Sequence, residues 1–237
     1  MPVLTPRQET PRQVYDRLWA EAQTWFAAGR ARLDPHLPDR TGDDRRGLSL
    51  IIRPDAPTAA RVMAALDRLR QHAPGQHTYR VDELHITALS LIGAAPGFDL
   101  DAVPLDRYRA VLADLLRETA PFPVQFFGLT ASPEGVMVAG DAPGDALNCL
   151  RDRLRERLAA AGLGATLDRR YRSVTAHMTI LRFQAPVRDL PGLAACVAAL
   201  RDHDLGRFDV AQVDLVTNNW YMSHDAVTIL ERYALEG

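Results

Sequence analysis

The sequence contains no lysine. All 28 basic residues are arginine, and 30 acidic residues leave a formal net charge of −2 at pH 7. Proteins that bind duplex nucleic acid by bulk electrostatics are usually strongly basic, so we expect no duplex DNA binding and only local contacts with any nucleic acid. Codon bias explains the missing lysine most simply, and a preference for bidentate arginine contacts with phosphate is a secondary explanation.

Cysteine is scarce and long hydrophobic runs are absent. Cys149 and Cys196 each lie beside apolar residues in a helix-like stretch, which favours buried free thiols over a disulfide and is typical of a reducing cytoplasm. No run approaches the roughly 18 apolar residues of a membrane span, and residues 1–10 lack an apolar signal core. We therefore predict a cytoplasmic protein with no membrane partner.

One short pattern occurs twice, as His85-Ile86-Thr87 and His177-Met178-Thr179. The dipeptides Tyr79-Arg80 and Tyr171-Arg172 precede the two histidines by the same offset. Seven histidines and fourteen threonines would produce about 0.4 His-x-Thr matches by chance, so the shared Tyr-Arg frame strengthens the repeat considerably. The simplest alternative is a pair of structural histidines in the core.

Both motifs lie in stretches typical of β-strands, residues 84–92 and 174–183. Side chains alternate between the faces of a strand, so a histidine and a threonine two positions apart point the same way. Two such strands that face each other would present two imidazoles and two hydroxyls to one ligand.

The chain repeats the order strand, helix, His-x-Thr strand, which predicts a duplicated, bilobal α+β fold. We expect two antiparallel sheets around a central cleft, with the helices outside. Residues 1–46 form an N-terminal extension, and residues 47–237 form a single bilobal domain that changes lobes near residue 120. The expected helices are 11–33, 58–72, 105–118, 144–161 and 189–202, and the remaining strands are 48–53, 124–130, 135–139, 208–217 and 227–233.

The motifs and their contexts, Leu84-His85-Ile86-Thr87 and His177 through Phe183, resemble the two-histidine (2H) phosphoesterase superfamily over residues 47–235. This superfamily includes bacterial RNA 2',3'-cyclic phosphodiesterases, also known as 2'-5' RNA ligases. The resemblance implies a bilobal α+β fold, with His85 and His177 as general acid and base. It also implies that Thr87 and Thr179 bind phosphate. The N-terminal extension and the acidic charge depart from the best-known RNA-specific members.

Two histidines suit phosphodiester hydrolysis, because in-line displacement needs a base on one side of phosphorus and an acid on the other. An unperturbed pKa of about 6.5 lets histidine serve in either role. We expect no cofactor and no metal, since His-x-Thr supplies one good ligand per strand with no carboxylate or cysteine at ligand spacing nearby. A serine nucleophile lacks support, because no Gly-x-Ser-x-Gly motif is present.

Further candidates for substrate binding are two tyrosines that can stack on a base and three arginines that can neutralise phosphate: Tyr79, Tyr171, Arg53, Arg80 and Arg172. Ordinary positions at the rim of a cleft explain them equally well. Arg182 lies five residues after His177, so strict alternation places it on the opposite face unless a bulge intervenes.

The sequence therefore predicts a metal-independent phosphodiester hydrolase that acts on 2',3'-cyclic phosphates or 2'-5' linkages. Its expected partner is a nucleotide or an RNA terminus, and a monomer is favoured. One alternative is a non-catalytic nucleotide or RNA-end binding module with the same fold. Another is a structural protein whose N-terminal amphipathic helix binds a partner.

Overall fold

Two antiparallel sheets, each carrying one His-x-Thr motif, form the framework of the protein. A computed structural model describes residues 9–168 and 172–237. In these residues the helices are α1 (Pro11–Ala27), α2 (Ala56–His72), α3 (Leu105–Arg117), α4 (Ala146–Ala160) and α5 (Leu190–Ala199). The strands are β1 (Arg46–Ile52), β2 (His77–Thr78), β3 (Ile86–Ala95), β4 (Phe122–Ser132), β5 (Gly135–Asp141), β6 (Met178–Arg182), β7 (Gly206–Val210), β8 (Gln212–Asn219) and β9 (Thr228–Ala234).

The two sheets have related strand orders, β3-β1-β8-β9 and β2-β6-β5-β4-β7. The strands that follow the two histidines, β3 and β6, pair antiparallel with β1 and β5 respectively. The first motif strand, β3, lies at the edge of its sheet, whereas the second, β6, lies between β2 and β5. This arrangement confirms the predicted α+β class and the duplicated, two-sheet architecture.

Neither sheet is built from one continuous half of the chain. The short strand β2 comes from the first half but pairs with β6, while β8 and β9 return from the second half to pair beside β1. The prediction of a single strand at 208–217 is wrong, because this segment forms two strands, β7 and β8, which belong to different sheets. Two consecutive exposed residues, Ala211 and Gln212, break the alternation where the chain crosses over.

The helix expected at 11–33 is shorter than predicted. It begins with a capping box between Thr10 and Gln13, followed by Pro11 in the first turn. It ends at Ala27, because Gly29 adopts a φ of +68°, a left-handed conformation that glycine takes readily and that ends helices. Leu33 therefore lies outside the helix and is 38% exposed.

Helix α1 packs against the second sheet. Tyr15 is buried, and its hydroxyl donates to the carbonyl of Gly140 at 2.8 Å. The Phe26 ring meets Phe183, just after β6, edge to face at 5.8 Å between centroids. The N-terminal extension is consequently fastened to the sheet that carries the second motif.

The cysteine expectation holds in part. Both thiols are free, and Cys196 is buried, but Cys149 is exposed on α4. The helical period explains the difference, since Leu147 and Leu150 occupy the buried face of α4 on either side of Cys149. Among the described residues, no helix is both long and apolar enough to cross a membrane.

Candidate active site

A β-bulge follows the threonine of each motif. In the ladder between β1 and β3, Thr87 and Leu89 pair with consecutive residues, so Ala88 is the extra residue. In the ladder between β5 and β6, Thr179 and Leu181 pair with consecutive residues, so Ile180 is the extra residue. The two halves of the site thus share a backbone irregularity as well as a motif.

The bulge in β6 changes the position of Arg182. An extra residue shifts the alternation of side chains by one, so Arg182 returns to the face that carries His177 and Thr179. The burial pattern agrees, because Ile180 and Leu181 are both buried while Thr179 and Arg182 are partly exposed. The expectation from strict alternation, which placed Arg182 on the opposite face, is therefore wrong.

Both histidines lie in surroundings that disfavour the charged imidazolium. Both are partly buried immediately before their strands. Burial lowers the pKa of His85 to about 4, and the nearby Arg53 and Arg182 act in the same direction. Burial also lowers the pKa of His177 to about 4, assisted by Arg151, His85 and Arg182. Arg182 thus disfavours the imidazolium form of both histidines, and the charge of His85 does so at His177.

Each imidazole is oriented through its Nδ1 atom. Nδ1 of His85 donates to the carbonyl of Glu83 at 2.7 Å, which leaves Nε2 available to a ligand. Nδ1 of His177 shares a hydrogen bond of 2.8 Å with Oγ1 of Thr175. Thr87 and Thr179 are partly exposed, as their histidines are. The residues that orient the two imidazoles, Glu83 and Thr175, each lie two positions before their histidine. The position of Thr175 relative to His177 could therefore have indicated its role in the sequence.

Arg151 connects the two motif segments from behind. It is 0% exposed, and its guanidinium donates to the carbonyls of Thr87 and Ala88 in the first bulge, each at 2.8 Å. It also donates to the carbonyl of Thr175 at 3.0 Å. One rigid, planar side chain on α4 therefore spans the backbone beside Thr87 and the backbone that leads into His177. In the sequence, Arg151 is one of several charged residues along a predicted helix, and nothing in that pattern indicates this role.

Tyr79 and Arg53 support the site in different ways. The Tyr79 side chain is only 2% exposed, so it is not free to stack on a base. Its hydroxyl instead accepts a hydrogen bond of 2.9 Å from Nε of Arg182. Arg53 is partly buried and donates to the carbonyl of Asp82 at 2.5 Å. Arg53 follows Ile52, which pairs with Ile86, so it lies beside His85 at the end of the antiparallel ladder.

The other predicted binding residues lie at the rim or beyond it. Arg80 is exposed and pairs with Asp82 at 3.0 Å. Arg172 is exposed and pairs with Asp152 at 2.6 Å, although it lines the same cavity as His177. Tyr171 lies outside the described residues.

Sequence reasoning did not single out His77, which lies opposite Arg182 in the pairing of β2 with β6. Its ring meets Tyr79 and Tyr221 edge to face, at 5.1 and 6.0 Å between centroids. Burial lowers its pKa to about 4, with Arg40 as the next contribution. A histidine on a two-residue strand has no recognisable pattern around it.

The polar loop at 34–46 packs at the Arg182 end of the site. The amide of Asp34 donates to the carbonyl of Phe183 at 2.8 Å, and the Tyr221 hydroxyl donates to the Asp34 carboxylate at 3.0 Å. Arg40 donates to Oγ of Ser223 at 2.8 Å. The N-terminal extension thus contacts the second sheet through the loop as well as through α1.

Metal binding by the two histidines was tested on the residues that the structure describes. Within residues 9–168 and 172–237, there is no group of three or more histidine, cysteine, aspartate or glutamate side chains that could hold a metal ion. The polar groups at the centre are instead hydroxyls and guanidinium groups, which are suited to an anionic ligand.

A family model places the chain among known proteins. The model of the 2'-5' RNA ligase superfamily matches residues 54–219, so the chain belongs to this superfamily. The match confirms the resemblance to the two-histidine phosphoesterases. A comparison with curated protein sequences finds no significant match.

Solved structures share the fold. A protein from Thermus thermophilus superposes with a TM-score of 0.58 at 21% identity, covering 81% of this chain and 98% of that one. Escherichia coli LigT in apo form superposes with a TM-score of 0.52 at 18% identity, covering 82% and 99%. A conserved Agrobacterium tumefaciens protein of unknown function superposes at 0.53 and 16% identity, covering 89% and 96%.

Proposed function

We propose that this protein hydrolyses phosphodiesters without a metal, acting on 2',3'-cyclic phosphates or 2'-5' linkages of RNA ends, oligonucleotides or small nucleotides. The observation that carries the proposal is the link through Arg151, whose guanidinium donates to the carbonyls of Thr87 and Thr175, so the two His-x-Thr segments from different sheets lie next to each other. Two imidazoles supply an acid and a base, and the guanidinium of Arg182, which the bulge in β6 places on the face of Thr179, compensates the charge of a phosphate between them.

Thr87 and Thr179 are proposed to hold the phosphate. Each shares a strand face with its histidine, and each remains partly exposed. Their hydroxyls would donate to non-bridging oxygens and keep phosphorus between the two Nε2 atoms. Positioning of this kind removes much of the entropic cost of the reaction.

We assign His85 as the general acid and His177 as the general base. The carbonyl and the carboxylate of Glu83 both favour a protonated His85. The neighbouring charges of Arg53 and Arg182 lower the pKa of His85, as those of Arg151, His85 and Arg182 lower the pKa of His177, so the Glu83 acceptor is what distinguishes the two rings. A bound phosphate anion would raise the pKa of both histidines, and His85 already has a carbonyl acceptor that stabilises the imidazolium.

The proposed hydrolysis of a cyclic phosphate then proceeds in one displacement. Nε2 of His177 takes a proton from water while the water oxygen forms a bond to phosphorus. The bond from phosphorus to one ribose oxygen breaks, and that oxygen receives the Nε2 proton of His85. The products are a phosphomonoester and exchanged protonation states of the two histidines, which solvent restores.

Nucleotides are the proposed substrate class because of the family and the site chemistry. Escherichia coli LigT has been crystallised with ATP, NADP+ and 3'-AMP. In this chain, the arginines around the two histidines suit a ligand with phosphate groups.

The test is hydrolysis of a panel of 2',3'-cyclic nucleotides and 2'-5' linked dinucleotides in the presence of EDTA. Wild type is compared with His85→Ala and His177→Ala, and folding is checked by circular dichroism. We expect turnover that survives EDTA and is lost in both variants. Turnover that requires a metal, or that persists in both variants, would contradict the mechanism. Nucleotide binding without turnover would favour a binding module instead.

A further inference from the structure

A cavity of about 510 Å³ opens beside His177, between α1 and the second sheet. Val14 and Leu18 of α1 form one wall, and Met137 of β5 and Val174 form the opposite side. The volume falls within the range of about 300–1,000 Å³ that is typical of small-molecule sites. Because His177 itself lines the cavity, a ligand there adjoins the reacting phosphate.

Strand register shows that α1 covers the catalytic face of the second sheet. Met137 lies directly opposite Thr179 across β5 and β6, and Thr130 lies opposite Met137 across β4 and β5. Residues paired in this way point to the same face. Oγ1 of Thr130 donates to the carbonyl of Tyr15 at 3.2 Å, so α1 lies on the face that carries Thr179.

The apolar stripe of helix α1 is wider than the part that the core buries. Trp19, Ala22 and Phe26 are buried in the main hydrophobic core. Val14 and Leu18, four residues apart along one edge of this stripe, remain half-buried and line the cavity. Met137 and Val174 are also half-buried. None of these four side chains belongs to the core, so their apolar surface is available to a ligand.

Salt bridges neutralise the charges at the rim of the cavity. Arg17 pairs with Glu9 at 2.9 Å, Arg172 with Asp152 at 2.6 Å and Glu134 with Arg32 at 2.8 Å. The unneutralised positive charge that is proposed to bind phosphate therefore lies around the two histidines. The cavity, in contrast, has apolar walls, and the charged side chains at its rim are paired. This combination suits an uncharged aromatic group that is attached to a phosphate.

We propose that the cavity binds a nucleobase of the substrate, and that Val14 and Leu18 of α1 determine this preference. The proposal rests on the proposed function, since it takes the phosphate to lie between the histidines. Helix α1 lies outside residues 54–219, the part matched by the family model. The N-terminal extension thus adds a subsite to the domain that the family shares.

The test compares adenosine 2',3'-cyclic phosphate with glycerol 1,2-cyclic phosphate, which lacks a base. Burial of an apolar group against aliphatic walls contributes about 1.5–3 kcal/mol, so wild type should favour the adenosine substrate in kcat/KM by about 10- to 150-fold. Leu18→Trp fills the cavity and should abolish most of this ratio. Ala20→Trp places the same ring on an exposed part of α1 and should keep the ratio. An unchanged ratio in Leu18→Trp would overturn the proposal.

Binding measurements separate failure of the subsite from failure of the proposed function. If wild type hydrolyses neither of these substrates and none of the 2'-5' linked dinucleotides, the proposed function fails, and calorimetric titration with adenosine 3'-monophosphate and inorganic phosphate decides the subsite. We expect the nucleotide to bind at least about 10-fold more tightly than phosphate, and Leu18→Trp to remove the difference. Equal affinities in wild type would refute the subsite.

Discussion

Arg151 is predicted to set both the stability and the pH profile of the site. Arg151→Met would leave the carbonyls of Thr87, Ala88 and Thr175 without this donor in a buried region. Each unsatisfied carbonyl costs about 1–3 kcal/mol, or about 3–9 kcal/mol for three. Removal of a buried charge offsets part of this cost. We therefore expect the free energy of unfolding to fall by about 3–5 kcal/mol.

The same substitution should change catalysis in a way that instability alone does not. A shift of about 1 Å in catalytic groups can cost about 10²-fold in rate, so kcat should fall by about that factor. The charge of Arg151 lowers the pKa of His177. Its loss should raise that pKa, so the acidic limb of kcat/KM, where the base becomes protonated, moves to higher pH.

Urea denaturation and pH profiles measured at a temperature where the variant is folded test this prediction. Arg151→Lys is the matched control, because it keeps the charge but lacks the planar guanidinium. It should lose stability and rate while the acidic limb stays near its wild-type position. The reasoning is refuted if folded Arg151→Met has the kcat and the pH profile of wild type.

Three further predictions concern the histidines and one glycine. His85→Asn and His177→Asn should each lower kcat by about 10²–10⁴-fold in steady-state assays, and a loss below tenfold in either would contradict an acid–base role. The pKa values of His77, His85 and His177 are lowered to about 4 in the fold, so between about pH 6.5 and 4 the unfolded chain binds more protons. The contribution of these histidines to the free energy of unfolding should be fully present above pH 6.5. It should fall by about 2–4 kcal/mol as the pH approaches 4, after allowance for solvent contact. The midpoint of urea denaturation should therefore fall less in the double variant His85→Asn/His177→Asn than in wild type. Gly128→Ala would place a Cβ 1.9 Å from the carbonyl oxygen of Arg201 at a φ of +153°, so thermal denaturation should show a loss well above 1 kcal/mol; a neutral result would contradict the close approach of Gly128 to the Arg201 carbonyl.

The sequence by itself determined the residue types of the site and the general architecture. An imidazole and a hydroxyl two positions apart on a strand share a face because of local backbone geometry, so His85 with Thr87 and His177 with Thr179 were recognisable without long-range information. The amphipathic period of α2 and α4 was readable for the same reason. These features depend on neighbours in the chain, which the sequence displays directly.

The tertiary structure alone decided the features that depend on pairing across the chain. A bulge at Ile180 is a relation between β5 and β6, so the position of Arg182 on the catalytic face had no local signal. The role of Arg151 depends on carbonyls more than 20 residues away, and the placement of Val14 and Leu18 beside His177 depends on how α1 packs against the second sheet. Periodicity reports which side of an element is buried, whereas packing decides what that side meets.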